Sequence, residues 1–136
     1  MKQAGFDIDA RLADTSHHVG DWMLSHVRLV DDARWPWLLL IPRRKGAVEL
    51  FDLPGHDRAA LVEEAARAAQ IVHDLIDADK TNVATLGNQV PQMHVHVIGR
   101  KVGDPAWPGP VWGVGEAEPY QPDALGNTLR EIANKM

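Results

Sequence analysis

A chain of 136 residues with 45% hydrophobic and 24% charged residues has the makeup of one globular domain with a real core. Its formal net charge of −5 excludes general nucleic-acid binding by phosphate neutralisation, which needs an excess of Lys and Arg. Mononucleotide binding stays open, because it needs only local donors, while the absence of cysteine removes disulfides and thiolate chemistry.

The first twenty residues, with Asp7, Asp9 and Asp14 among them, lack the basic-then-apolar layout of a signal peptide. Nowhere do ~18 apolar residues run together, so no membrane span and a cytoplasmic location are expected. Residues 8–14 suit a short helix with Ile8, Leu12 and Ala13 on one side, and 16–20, with His17 and His18, read as a surface loop. Residues 22–30 have strand character up to the Asp31-Asp32 turn. The run from Trp37 to Ile41, bounded by Pro36 and Pro42, reads as a buried strand. Residues 47–51 read as its hairpin partner, across a solvated basic turn at Arg43, Arg44 and Lys45.

Residues 55–78 carry the clearest helical pattern. Leu61, Ala65, Ala68, Val72 and Leu75 keep three- and four-residue spacing, whereas Glu63, Glu64, Arg67 and Asp74 fall elsewhere on the cylinder. Asp57 suits a cap or the first turn, and His73 lies at the helix edge as a structural residue. Residues 81–86 form another strand, joined through Gly87 to a strand over 90–98 that Gly99 stops. Beyond Arg100, residues 104–113 hold Pro105, Pro108 and Pro110, which forbid helix or central strand. Trp107 and Trp112 are large enough to anchor that segment to the body or to a second subunit. Residues 122–135 predict a terminal helix on Leu125, Leu129 and Ile132. The fold class is therefore α+β: one domain over 1–136, an antiparallel sheet of about five strands with one long helix packed on it and a shorter terminal helix.

Chemistry concentrates in the strand over 90–98. Side chains alternate along a strand, so Gln92, His94 and His96 share one face, roughly 6.6 Å apart, while Met93, Val95 and Val97 turn to a core on the other. Such a row serves as a solvated strand face, as part of a metal site, or as a nucleophile with a proton-handling neighbour. A metal needs a third ligand, and the remaining histidines, 17, 18, 26, 56 and 73, are scattered without ligand spacing.

Gln92-Met-His-Val-His-Val-Ile98 resembles the histidine-triad (HIT) motif, His-φ-His-φ-His-φ-φ with φ hydrophobic, read with Gln in place of its first His. Leu86-Gly87-Asn88-Gln89-Val90-Pro91 is similar to the segment that precedes the triad in that superfamily. The resemblance covers about residues 20 to 115 and implies a HIT-like fold and a homodimer. It further implies a nucleotide hydrolase or nucleotidyl transferase, hydrolase foremost, acting at the α-phosphate of a conjugate such as a dinucleoside polyphosphate or nucleoside phosphoramidate. His94 matches the family's nucleophile, which forms a covalent nucleotidyl-histidine, and His96 the last His, which donates to a phosphate oxygen or the leaving group. Gln92 keeps a positioning role, since it accepts and donates hydrogen bonds, but cannot titrate. Asn88 and Gln89 are expected to stabilise phosphate charge. Asp32, or Asp31 beside it, is expected to bind the ribose, and Leu38, Leu40 and Ile41 to contribute to a base-pocket wall. No cofactor is expected beyond Mg²⁺ carried by substrate phosphates, and no metal on the His94/His96 pair. The partners expected are a nucleotide substrate and a second copy of the chain, with neither nucleic acid nor membrane. The alternative is a catalytically weak or inactive nucleotide-binding or interaction module on the same fold.

Overall fold

The computed structural model describes residues 6–136. Five strands form one antiparallel sheet: β1 (Ser16–Asp21), β2 (Ser25–Val30), β3 (Trp37–Pro42), β4 (Lys80–Thr85) and β5 (Val95–Arg100), in spatial order β1-β2-β3-β5-β4. A short helix, α1 (Ala10–Ala13), precedes the sheet. The long helix α2 (Gly55–Ile76) crosses between β3 and β4, and α3 (Pro122–Lys135) closes the chain. No helix among the described residues is long and apolar enough to cross a membrane.

Alternation divides the sheet as the sequence predicts. Met93, Val95 and Val97 join Val27, Leu29, Leu38 and Leu40 in a core under α2, to which the helix contributes Leu61, Ala65, Ala68, Ile71 and Val72. Small alanines let α2 lie close, and Gly99 is where it touches: a Cβ there would stand 2.8 Å from the Val72 carbonyl oxygen. Gly99 thus serves close approach rather than a strand stop, and β5 runs on to Arg100. The opposite sheet face carries Trp37, Leu39, Ile41 and Ile98, covered by Phe6 and Leu12 from the N-terminal side and by Val111 and Trp112 from the Trp/Pro segment.

The strand count matches the expectation, but one member differs. Residues 16–20, expected as loop, belong to β1, which pairs with β2 through a register shift at His18/Gly20 and forms an edge strand. Residues 47–51 form no strand. The Asp52 carboxylate captures the Val48 and Glu49 amides at 3.1 and 2.8 Å, curling 50–52 into a 3-10 turn, and only the Ala47 carbonyl reaches a neighbouring segment, at Met93. Glu64, off the apolar stripe, does not face solvent. It is buried and accepts from the Leu24 and Ser25 amides at 2.9 and 3.0 Å, clamping the β1–β2 turn to α2. Leu38, Leu40 and Ile41 are fully buried, so they are core and not pocket wall. The basic turn is half tied down, since Arg43 pairs with Asp21 and Arg44 with the first-turn Asp57.

Candidate functional site

β5 and the three residues before it set the row. His94 sits just ahead of the strand, where its Nδ1 lies 2.7 Å from the Gln92 carbonyl oxygen. A carbonyl only accepts, so Nδ1 carries the proton and Nε2 keeps its lone pair. His96, buried one turn of the alternation later, is held at both nitrogens. Its Nδ1 accepts from the Trp37 indole N–H at 3.0 Å, and its Nε2–H donates to the Leu86 carbonyl at 3.3 Å. Both partners demand the neutral Nε2–H tautomer. Burial, followed by the neighbouring charge of His94, pushes the His96 pKa down to about 4, against a smaller upward pull from the Leu86 carbonyl. The His94 and His96 rings meet edge to face at 4.9 Å, and Trp112 packs on His96 at 5.0 Å.

A cleft of about 330 Å³ opens at His94. Val48, Leu50, Phe51, Thr85, Gly87 and Asn88 line it together with Gln92 and His94. Phe51 is 80% exposed, so its ring offers a free face for stacking. Gly87 is required where it is: a Cβ would stand 2.9 Å from the Val90 carbonyl oxygen and 3.5 Å from His94 Cε1.

The structure thus brings together Asn88, Gln92 and His94, with His96 directly behind. Gln89, exposed, turns its carbonyl to Arg11 Nη1 at 3.0 Å. Asp32 is corrected. It is 2% exposed, grips Arg34 with both oxygens at 2.9 and 2.8 Å, and accepts from the Glu118 amide. Asp31 accepts from the Tyr120 amide. Both carboxylates anchor the segment leading to α3, Trp37 and Trp112 pack beside His96, and neither aspartate is among the residues that line the cleft. Sequence reasoning missed Trp37 as the donor to His96, as well as Asp9 and Arg11. Aromatic burial looked like core in the first case, and in the second the contacts span more than 75 residues of chain.

Among the described residues one cluster has metal-ligand spacing: His18, Asp21 and His26, which the fold gathers although the sequence scatters them. Its hydrogen bonding points elsewhere. Arg28 can only donate, and it lies 3.1 Å from His26 Nε2, so His26 Nδ1 carries the proton that meets Asp21 at 3.1 Å. The His18 and His26 rings stack in parallel at 4.1 Å, and each turns a nitrogen to the same Asp21 oxygen, His18 Nε2 at 3.0 Å and His26 Nδ1 at 3.1 Å. The cluster fits a hydrogen-bonded corner that ties β1 to β2.

A model of the HIT domain matches residues 12–103. A histidine triad protein from Bradyrhizobium japonicum is 40% identical over 96% of this chain and 98% of its own, with a TM-score of 0.94. A histidine triad (HIT) protein from Sinorhizobium meliloti 1021 is 41% identical over 98% of each chain, also with a TM-score of 0.94. A histidine triad protein from Marinobacter aquaeolei VT8 is 39% identical over 96% of this chain and 95% of its own, with a TM-score of 0.93. No curated protein matches the chain.

Proposed function

The chain belongs to the HIT domain family, and from that premise we propose that it hydrolyses nucleotide conjugates at the α-phosphate through a covalent nucleotidyl-His94. The observation that carries this reading is the single free lone pair of His94: Nδ1 is committed to the Gln92 carbonyl, so Nε2 is the nucleophile. In the first step Nε2 forms a bond to the α-phosphorus, and the bond from phosphorus to the leaving group breaks. In the second, water attacks phosphorus, nucleoside monophosphate departs, and His94 regains its lone pair. Transfer to another acceptor uses the same intermediate.

His96 enters as a neutral donor. Its long bond to Leu86 is the weakest in the row, so Nε2–H is the group that can turn to a phosphate oxygen or to the departing atom. Asn88, on the cleft wall, supports the phosphate from the loop side, and the exposed ring of Phe51 receives the base. No metal takes part in the proposal; Mg²⁺, where present, rides on the substrate phosphates. The homodimer that the family suggests is supported by the open edge of β4, where Val83 is 52% exposed.

A pre-steady-state panel of adenylylated and guanylylated compounds, with phosphate, amine and acyl leaving groups, tests the reading. A burst of leaving group equal to the enzyme concentration supports it. Tight nucleotide binding with no burst across the panel favours the binding module.

A further inference from the structure

Gln92 has both ends of its carboxamide occupied. Its oxygen accepts from the Asp9 amide at 2.8 Å, and its nitrogen donates to the Asp7 carbonyl at 2.7 Å. The two backbone groups lie two residues apart and point the same way, so the side chain pairs with the N-terminal segment as one rung of a sheet would. Phe6 and Leu12, each 6% exposed, bury the flanks of that segment in the second core.

The clamp has a consequence for charge. Asp9, fixed by Gln92, caps α1 through the Arg11 amide at 2.9 Å and grips the Arg11 guanidinium with both oxygens, Nε at 3.1 Å and Nη2 at 2.9 Å. Arg11 Nη1 then reaches the Gln89 carbonyl. Gln89 belongs to the loop that carries Asn88 on the cleft wall, Gly87 against His94, and the Leu86 carbonyl that holds His96. Three of the five guanidinium N–H groups are engaged. The other two belong to a side chain that is 60% exposed.

We infer that the N-terminal segment is part of the phosphate site: Gln92 is a positioning residue that docks residues 7–9, and Arg11 is the cation delivered by that docking to bind the substrate phosphate. The inference rests on the nucleotide reading above and names the group that supplies charge there. Gln92 acts through this docking, with its oxygen and one of its two N–H groups committed to residues 9 and 7. A Gln at the first position leaves the row without a titrating cation, and the guanidinium, held by a carboxylate and a carbonyl, brings two uncommitted N–H donors instead.

The experiment measures AMP and GMP binding, with adenosine and guanosine as phosphate-free controls, and amide hydrogen exchange at Asp9, on the full chain. Arg11→Ala should weaken AMP and GMP binding at least tenfold, leave the nucleosides unchanged, and keep the Asp9 amide protected. Arg11→Lys should recover part of the loss through its charge. Gln92→Leu should expose the Asp9 amide to exchange and weaken AMP and GMP together, and Gln92→His should do the same, since a ring does not reproduce the amide rung. Unchanged AMP and GMP binding in Arg11→Ala overturns the inference. So does a Gln92→Leu variant that loses binding while the Asp9 amide stays protected, which would put Gln92 on the phosphate. A wild-type protein that binds no mononucleotide sinks the nucleotide reading itself, and the role of Arg11 with it. The clamp is then decided by the exchange data alone.

Discussion

Removing the Trp37 N–H isolates the bond that fixes the His96 tautomer. Trp37→Phe keeps an aromatic ring beside Trp112 and His96, but leaves the buried His96 Nδ1, now 3.0 Å from its donor, without a partner. An orphaned buried acceptor costs about 1–3 kcal/mol, and the void left by the smaller ring adds about 1 kcal/mol. The variant should therefore unfold about 2–4 kcal/mol more easily, read as a shifted urea midpoint at unchanged slope. The second consequence is electronic. With no N–H facing it, Nδ1 can take a proton, so the His96 pKa should rise from about 4 while staying below 6.5, because burial, its largest cause, persists. Nitrogen-15 spectra of the imidazoles, recorded from pH 7.5 to 4, report tautomer and pKa together. An unchanged tautomer and titration in Trp37→Phe would refute the claim that the indole holds His96 neutral.

Acid should destabilise the fold through the same residue. The unfolded chain takes up a His proton below about pH 6.5 that folded His96 refuses until about pH 4, so stability is full above 6.5 and falls by roughly 3 kcal/mol across that window. His26, pushed down to about 4 by burial and then by the His18 charge, adds a loss of the same sign. Urea unfolding at pH 7.5 and 5 checks this, and equal stability at both would contradict it. Asp32→Ala should lower stability by removing the partner that holds the half-buried Arg34 guanidinium, while leaving nucleoside affinity unchanged in a binding titration. A selective loss of ribonucleoside binding would restore Asp32 to a ribose contact. Phe51→Ala should weaken nucleoside binding about tenfold without changing thermal stability, and unaltered affinity would place the base elsewhere. Zinc should be lost on dialysis against a chelator, whereas stoichiometric metal that disappears only in His94→Ala would reverse that expectation.

The parts of the fold written in short-range patterns were legible. The three- and four-residue spacing of Leu61, Ala65, Ala68 and Val72 placed α2, and the alternation around Val95 and Val97 divided the sheet faces. What failed depended on partners far along the chain. Residues 16–20 carry two histidines and a glycine, which read as loop, yet β2 supplies a ladder and a register shift between His18 and Gly20 takes up the irregularity. Residues 47–51 have strand composition, but one carboxylate, Asp52, offered their amides a closer acceptor. At the site, the motif exposed His94, His96 and Gln92, since spacing along one strand is local information. The donor that sets the His96 tautomer and the segment bound to Gln92 lie 59 and more than 80 residues away. Asp32 misled because a turn aspartate beside a hydrophobic strand looks the same whether it faces a ligand or a buried arginine.

The central claim is that His94 Nε2 bonds to the substrate phosphorus. A rapid-quench single-turnover reaction with a conjugate labelled at its α-phosphate measures that bond directly. The wild-type protein should carry label that is stable to base and labile to acid, appearing and decaying as product forms, and His94→Ala should carry none while still binding nucleotide within about tenfold, or ~1.4 kcal/mol. Label on His94→Ala, or turnover by the wild type with no labelled protein at any time, would contradict the account.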